Sequence, residues 1–166
     1  MKIRGTVREG FHVEAEMYGQ AQAIAANLAE MSALKVPVIA IVTGEGSSGG
    51  ALGIAVANKV YMLENAIYSV LSPEGFASIL WHDSARRDEA AEVMKLTAED
   101  LYKFGVIDGI IKEADIFKAI DKQISSALKE LDTLSADELK EDRYEKFRYF
   151  DEARVNASSV EEMEVV

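Results

Sequence analysis

The 166-residue sequence has no cysteine, only two histidines and two prolines, and 18 basic residues against 29 acidic ones. The missing cysteine excludes disulfide frameworks, thiol nucleophiles, iron–sulfur clusters and cysteine-based zinc sites together, and it fits a reducing compartment. The formal charge of −11 argues against nucleic acid, because phosphate-backbone binders gather Lys and Arg on one face. No such basic stripe occurs here. No apolar run reaches the roughly 20 residues that span a bilayer. The opening MKIRGTVREGFHVEAE also lacks the apolar centre of a signal peptide. These shortages predict a soluble, cytoplasmic chain with neither nucleic acid nor membrane as partner.

What is present suits one core: 49% of the residues are apolar, and a chain this long needs no covalent staples. Met17, Ala21, Ile24, Ala25, Leu28 and Met31 recur at steps of three and four, which predicts an amphipathic helix over 15–34. Lys35-Val36-Pro37 ends it, since proline disfavours helical geometry in the residue before it. VPVIAIV, at 36–42, is apolar without alternation, the pattern of a parallel strand buried on both faces. A short apolar helix is expected over ALGIAVAN, then strands over Lys59–Leu63 and Ala66–Leu71.

Ser72-Pro73-Glu74 reads as a helix start: a capping Ser, a Pro suited to the first helical position and an acid at the positive end. Asp83–Arg87 reads as a charged loop and Asp88–Met94 as a helix. Thr97 caps another that stops at Gly105, before a strand at VIDGII. Ile116, Ile120, Ile124 and Leu128 form a four-residue row on a helix over 115–131, expected to be core or subunit interface. Ser135-Ala136-Asp137-Glu138 is a capping box opening a last helix to about Phe150. Its Arg143, Tyr144, Phe147, Arg148, Tyr149 and Phe150 form an aromatic-basic patch expected mainly to pack that helix down. A short strand is expected at Ile3–Val7 and an acidic, disordered tail at 151–166; His12 and His82 are expected at the surface.

The glycine cluster at 44–50 admits several chemistries. Gly44-x-Gly46-x-x-Gly49 after a strand matches the dinucleotide fingerprint, with Glu64 as the acid about 20 residues on, but the helix that follows is too short for a normal crossover. Gly46-Ser47-Ser48-Gly49-Gly50 matches a nucleophile elbow on Ser48, which then needs a histidine that only His82 could supply downstream. A phosphate loop fails, because no Lys-Ser or Lys-Thr follows. Consecutive glycines at a helix N-terminus can also stabilise an oxygen that becomes negative during reaction. The plain alternative is a tight strand-to-helix turn in which glycine only permits close packing.

The landmarks GEGSSGGAL and SPEGFASILW, embedded in VPVIAIV…ANKVYMLENAIYSVL, resemble the carboxyltransferase α subunit of bacterial-type acetyl-CoA carboxylase. The resemblance covers roughly residues 13–150, from EAEMYGQAQAIAANLAEMSALK through AAEVMKLTAEDLYKFGVIDGIIKE to RYEKFRYF. It implies an α/β, crotonase-like spiral of β-β-α units, here the later half of the core (13–114) followed by C-terminal helices (115–150). The segment 1–12 diverges, and the chain is expected to be truncated at its N-terminus.

The resemblance further implies transfer of a carboxyl group from carboxybiotin, held on a separate biotin carboxyl carrier protein, to acetyl-CoA, giving malonyl-CoA for fatty acid synthesis. It implies an α2β2 oligomer with a β subunit that carries the zinc, so that no metal belongs to this chain, and ATP binding by the complete carboxylase. The family's oxyanion-stabilising glycines fall on Gly49 and Gly50. Gly44 and Gly46 would shape the turn, and the Ser47 and Ser48 hydroxyls would contact ligand or cap the helix. Ser47 stands where the family more usually has glycine. Ser72, Pro73, Glu74 and Gly75 would line the neighbouring loop. A non-catalytic assembly module of the same fold is the alternative.

Overall fold

The computed structural model describes residues 17–150; the expected strand at Ile3–Val7, His12 and the segment 151–166 lie outside the described residues. In chain order the elements are α1 (Gln20–Ala33), β1 (Ile39–Val42), β2 (Glu45–Ser47), α2 (Ser48–Ala55), β3 (Lys59–Leu63), β4 (Ile67–Ser69) and α3 (Pro73–Trp81). A 3-10 turn (Ser84–Arg86) leads into α4 (Arg87–Met94), α5 (Ala98–Lys103), β5 (Gly109–Ile111), α6 (Ile116–Leu131) and α7 (Ala136–Arg148).

Two parallel sheets organise these elements. β1, β3 and β5 form one, in the order β1-β3-β5, and β2 pairs with β4 in the other. The chain therefore repeats a unit, β1-β2-α2 and then β3-β4-α3. The first strand of each unit joins the larger sheet (Ile39 opposite Lys59) and the second joins the smaller (Glu45 opposite Ile67). This is the β-β-α repeat of a crotonase-like α/β fold.

β3 is the centre of the core. Val60, Tyr61, Met62 and Leu63 are all buried, and Ala57, Ala66, Ala98, Ile107, Ile111 and Ala127 close around them. A parallel strand with neighbours on both edges must have both faces covered, and fully burying a side chain such as Met62 contributes about 1.5–3 kcal/mol. β1 departs from the expectation of burial on both faces: all four of its residues are only half-buried. The reason is its place at the edge of the sheet, with β3 as its only strand partner among the described residues.

α1 also differs, since none of its residues is buried and the expected stripe is covered only at Ile24, Leu28 and Met31. Ile24 and Asn27 carry its contact with α2, where the Asn27 side chain donates to the Gly53 carbonyl. On α6 the Ile row turns partly outward: Ile116 and Ile120 pack on the core, Ile124 is half-buried and Leu128 is exposed, while Ala127 and Leu131 take the buried positions. The caps form as their sequences predict. The hydroxyls of Ser72, Thr97 and Ser135 accept from the backbone N–H of Gly75, Asp100 and Glu138, and the Ser135–Glu138 box is reciprocal.

Candidate active site

The glycine segment is not a turn up to Ser47. Glu45, Gly46 and Ser47 are extended and pair in parallel with Ile67, Tyr68 and Ser69. Neither Gly44 nor Gly46 takes a positive φ. Gly44 is exposed, with open space where a Cβ would point. Gly46 is glycine for a packing reason: a Cβ there would lie 3.1 Å from the Tyr68 ring and 3.2 Å from Val42 Cγ1. The absent side chain lets the Tyr68 ring lie across the strand beside it, and burial raises the phenol's pKa above its ordinary value.

The reversal into α2 falls on Ser48, whose φ is 60°. Ser47 is extended at φ −140° and bears no strain of this kind. Left-handed geometry is uncommon outside glycine and costs of order 1–3 kcal/mol, a cost that clusters at functional sites. Ser48 is exposed, and its turn starts α2 at the carboxyl end of β2. Gly49 and Gly50 follow in the first turn, at the positive end of the helix dipole. Gly49 is half-buried and Gly50 buried. On its outer side Gly49 meets α1, since its Cβ would stand 3.7 Å from Ile24 Cγ2.

Because β2 and β4 are parallel neighbours, their carboxyl ends lie side by side, and α3 starts after a three-residue link from β4. The pairing thus sets Ser47 opposite Ser69, three residues before Ser72, while Gly44 lies at the amino end of β2. Ser47 Oγ lies 3.4 Å from Ser69 Oγ across the pair and makes no cap to α2. Ser72 is occupied as the cap of α3, Pro73 stands at that helix's start, and the Glu74 carboxylate lies 3.8 Å from Arg87. Gly75 is confined, since a Cβ would come within 3.2 Å of Leu71 Cδ1.

Two competing chemistries lose their residues here. Glu64 accepts from the Glu113 backbone N–H at 2.7 Å and from Lys112 Nζ at 2.8 Å. Those partners, the backbone N–H first, hold its carboxyl below the usual range, so it ties β3 to β5 instead of facing a ribose. Ser48 has the backbone of a nucleophile elbow, but His82 is the exposed C-cap at the far end of α3. The nine residues of that helix span about 13 Å at 1.5 Å per residue. Among the described residues no group of His, Cys, Asp and Glu is arranged to hold a metal, and no helix is long and apolar enough to cross a membrane. Nothing in the fold or the comparisons below supports ATP binding.

Sequence reasoning missed Tyr68, Ser69 and Asn27. Their roles depend on register and helix contact, which spacing along the chain does not reveal.

A family model described as acetyl co-enzyme A carboxylase carboxyltransferase-like matches residues 10–151. The acetyl-coenzyme A carboxylase carboxyl transferase subunit alpha of Clostridium acetobutylicum is 54% identical over 145 residues, covering 82% of this chain and 53% of the relative. That of Streptococcus thermophilus is 55% identical over 143 residues, covering 83% and 56%. The chain spans about half the length of the curated relatives it matches. Among solved structures, a Pseudomonas malonate decarboxylase hetero-tetramer in complex with coenzyme A superposes with a TM-score of 0.68 at 17% identity, over 92% of this chain and 63% of that one. At that identity the likeness bears on the fold alone.

Proposed function

The chain belongs to the acetyl co-enzyme A carboxylase carboxyltransferase-like family, and from that premise we propose that it forms the carboxybiotin side of a carboxyltransferase. The reaction is transfer of the carboxyl group to acetyl-CoA, giving malonyl-CoA, in the cytoplasm. The observation that carries this reading is the start of α2. There a left-handed Ser48 and two consecutive glycines set backbone amides at the positive end of a helix, on the edge shared with β4 and α3. The arrangement fits a ureido group, which needs neutral hydrogen-bond donors at its oxygen and no side-chain nucleophile.

Carboxybiotin, borne on a carrier protein, supplies a labile carboxyl group and an oxygen that gains negative charge as that group departs. The Gly49 and Gly50 amides stabilise charge at that oxygen, and the dipole of α2 adds to their field. Loss of one such donor costs about 3–4 kcal/mol of transition-state stabilisation. The exposed Ser48 and the half-buried Ser47 flank those amides in the chain.

Acetyl-CoA and a zinc-bearing β subunit complete the reading, in an α2β2 assembly. Exposed apolar residues support it: Leu52 on α2 and Ile79 and Leu80 on α3 are 41%, 66% and 58% exposed, the kind of surface a subunit contact covers.

The test is reconstitution with the β subunit and a carboxylated carrier, following malonyl-CoA. Gly50→Val is expected to retain β-subunit binding while turnover falls at least a hundredfold, the usual consequence of disabling such a site. Proper assembly without any wild-type turnover would instead support the non-catalytic assembly module.

A further inference from the structure

We infer that Asn27 is a positioning residue for the candidate site: its side-chain amide donates to the Gly53 carbonyl and so holds the carboxyl end of α2, the helix that begins at the Ser48 turn. The catalytic consequence rests on the carboxyltransferase reading; the tie between the two helices does not.

The last carbonyls of a helix have no partner within it. α1, α5, α6 and α7 meet part of this need with the next backbone N–H: Leu34 donates to Met31, Phe104 to Asp100, Asp132 to Leu128 and Tyr149 to Glu145. Val56, which follows α2, leaves the helix at ψ 90° and makes no such bond among the described residues. Gly53, buried in the last turn of α2, is served instead from another helix, by Asn27.

Ile24 and Asn27, three residues apart, share one face of α1, and both flank Gly53. A Cβ on Gly53 would stand 3.6 Å from Asn27 Nδ2 and from Ile24 Cγ2, and 3.9 Å from the Ile24 carbonyl oxygen. α1 is itself anchored at its carboxyl end, where Arg143 Nη1 donates to the carbonyls of Met31, Ser32 and Leu34. None of its residues is buried, so α1 acts less as core than as a strut from α7 to α2. Because α2 has only eight residues, its two ends are about 12 Å apart at 1.5 Å per residue, and a shift at Gly53 is carried to the start of the helix. Misplacement of about 1 Å at a reacting centre can cost a hundredfold in rate.

The test uses the full chain as Asn27→Ala and as Asn27→Asp, which keeps the shape of Asn27 but sets a carboxylate against the negative end of α2. Hydrogen exchange at the Gly53, Ile54 and Ala55 amides is expected to quicken about fivefold in Asn27→Ala, the net worth of one hydrogen bond, and at least as much in Asn27→Asp. Ser135→Ala, which removes the cap at the start of α7, is the control for lost stability alone. In the reconstituted enzyme kcat is expected to fall about fivefold in both Asn27 variants, by the same loss. KM for the carboxylated carrier should stay within about twofold of wild type, and Ser135→Ala should leave kcat unchanged. Exchange in Asn27→Asp equal to that of the wild type would make the contact one of shape and overturn the inference. So would an unchanged kcat in the Asn27 variants of an active enzyme, or an equal fall in Ser135→Ala. Because exchange requires no turnover, an inactive wild type would overturn the carboxyltransferase reading, while exchange still decides whether Asn27 holds α2.

Discussion

Arg143 Nη2 donates to Asn58 Oδ1 at 2.8 Å, in a contact buried between the last helix and the loop before β3. Around that contact Arg143 Nη1 reaches the carbonyls of Met31, Ser32 and Leu34, and Nη2 that of Val36. Asn58 passes the link on, donating to the Leu139 carbonyl and Asp142 and accepting from the Val38 N–H. One guanidinium thus satisfies the carbonyls at the end of α1 and fixes the entry to β1, which leads directly into β2 and the start of α2. Only arginine offers five donors in a planar fork at this reach.

Arg143→Ala is accordingly expected to be among the most destabilising single changes in the chain. Arg143 is 1% exposed, and its loss would take their shared donor from the part-buried carbonyls of Met31, Ser32, Leu34 and Val36 and leave the Asn58 oxygen with the Val38 N–H alone. Stranded buried polar groups cost about 1–3 kcal/mol each, and partial relaxation brings the expected total to about 3–5 kcal/mol. Arg143→Lys keeps the charge but not the fork, and should recover only part of the loss. Urea denaturation monitored by circular dichroism measures all three proteins. A loss below 1 kcal/mol for Arg143→Ala would show that water replaces these bonds.

Arg143 also marks where the sequence stops being legible. The capping motifs, the β3 span and the order of the helices and of every strand but β2 can be read from local chemistry, because each cap and each β-branched run carries its own cause, whereas the Glu45–Ser47 strand has no apolar run to announce it. The sequence places Arg143 beside Tyr144 and Arg148 in a basic-aromatic patch, and nothing local distinguishes a buried guanidinium from an exposed one. Its partners lie 107–112 residues away for the α1–β1 joint and 85 for Asn58. β1 fails for a related reason: IAIV specifies an apolar strand, but burial depends on what lies beyond each edge. The motif GEGSSGGAL becomes the strand β2 and the start of α2. The left-handed residue is Ser48 and not a glycine, because the β2–β4 pairing extends through Ser47.

The helix caps supply a graded comparison. Ser72→Ala and Ser135→Ala each remove a hydroxyl that caps a helix, and each is expected to lower stability by about 1 kcal/mol. Ser135→Ala removes only the hydroxyl half of its box, since the Ser135 backbone N–H that donates to Glu138 at 2.7 Å remains, so its loss should match that at Ser72. Ser47→Ala removes no cap and should change stability by less than about 0.5 kcal/mol. Differential scanning calorimetry on the three variants gives the ranking, and equal losses at Ser47 and Ser72 would contradict it.

Acid should loosen the tie between β3 and β5. The Glu64 carboxyl is held below its usual range by the Glu113 backbone N–H first and then by Lys112. A depressed folded-state value means that this stabilisation is complete above the unfolded value, about 4.3 for glutamate, and is lost as pH falls through the folded value. Glu64→Gln retains an acceptor for the Glu113 N–H but has no proton to take up. Its Tm should therefore decline less steeply than that of the wild type below about pH 5, while both respond alike between about pH 6 and 8. Parallel acid profiles would remove Glu64 from the account.

Gly44 and Gly46 stand two residues apart in one motif, yet the structure separates them sharply. An alanine at 44 would meet nothing within 4 Å, whereas at 46 its Cβ would press on both the Tyr68 ring and Val42. Tyr68 lies directly across from Gly46 in the β2–β4 ladder, so its ring cannot withdraw without disturbing the strand pair that sets the start of α2. Overpacking of this kind costs about 1–3 kcal/mol, and Gly44→Ala at an open, exposed position should fall within about 0.5 kcal/mol of wild type. Adding Tyr68→Ala to Gly46→Ala makes the relation a double-mutant cycle. If the ring is the obstacle, the two losses should be less than additive by at least about 0.5 kcal/mol. Strict additivity would assign the constraint at Gly46 to Val42 instead.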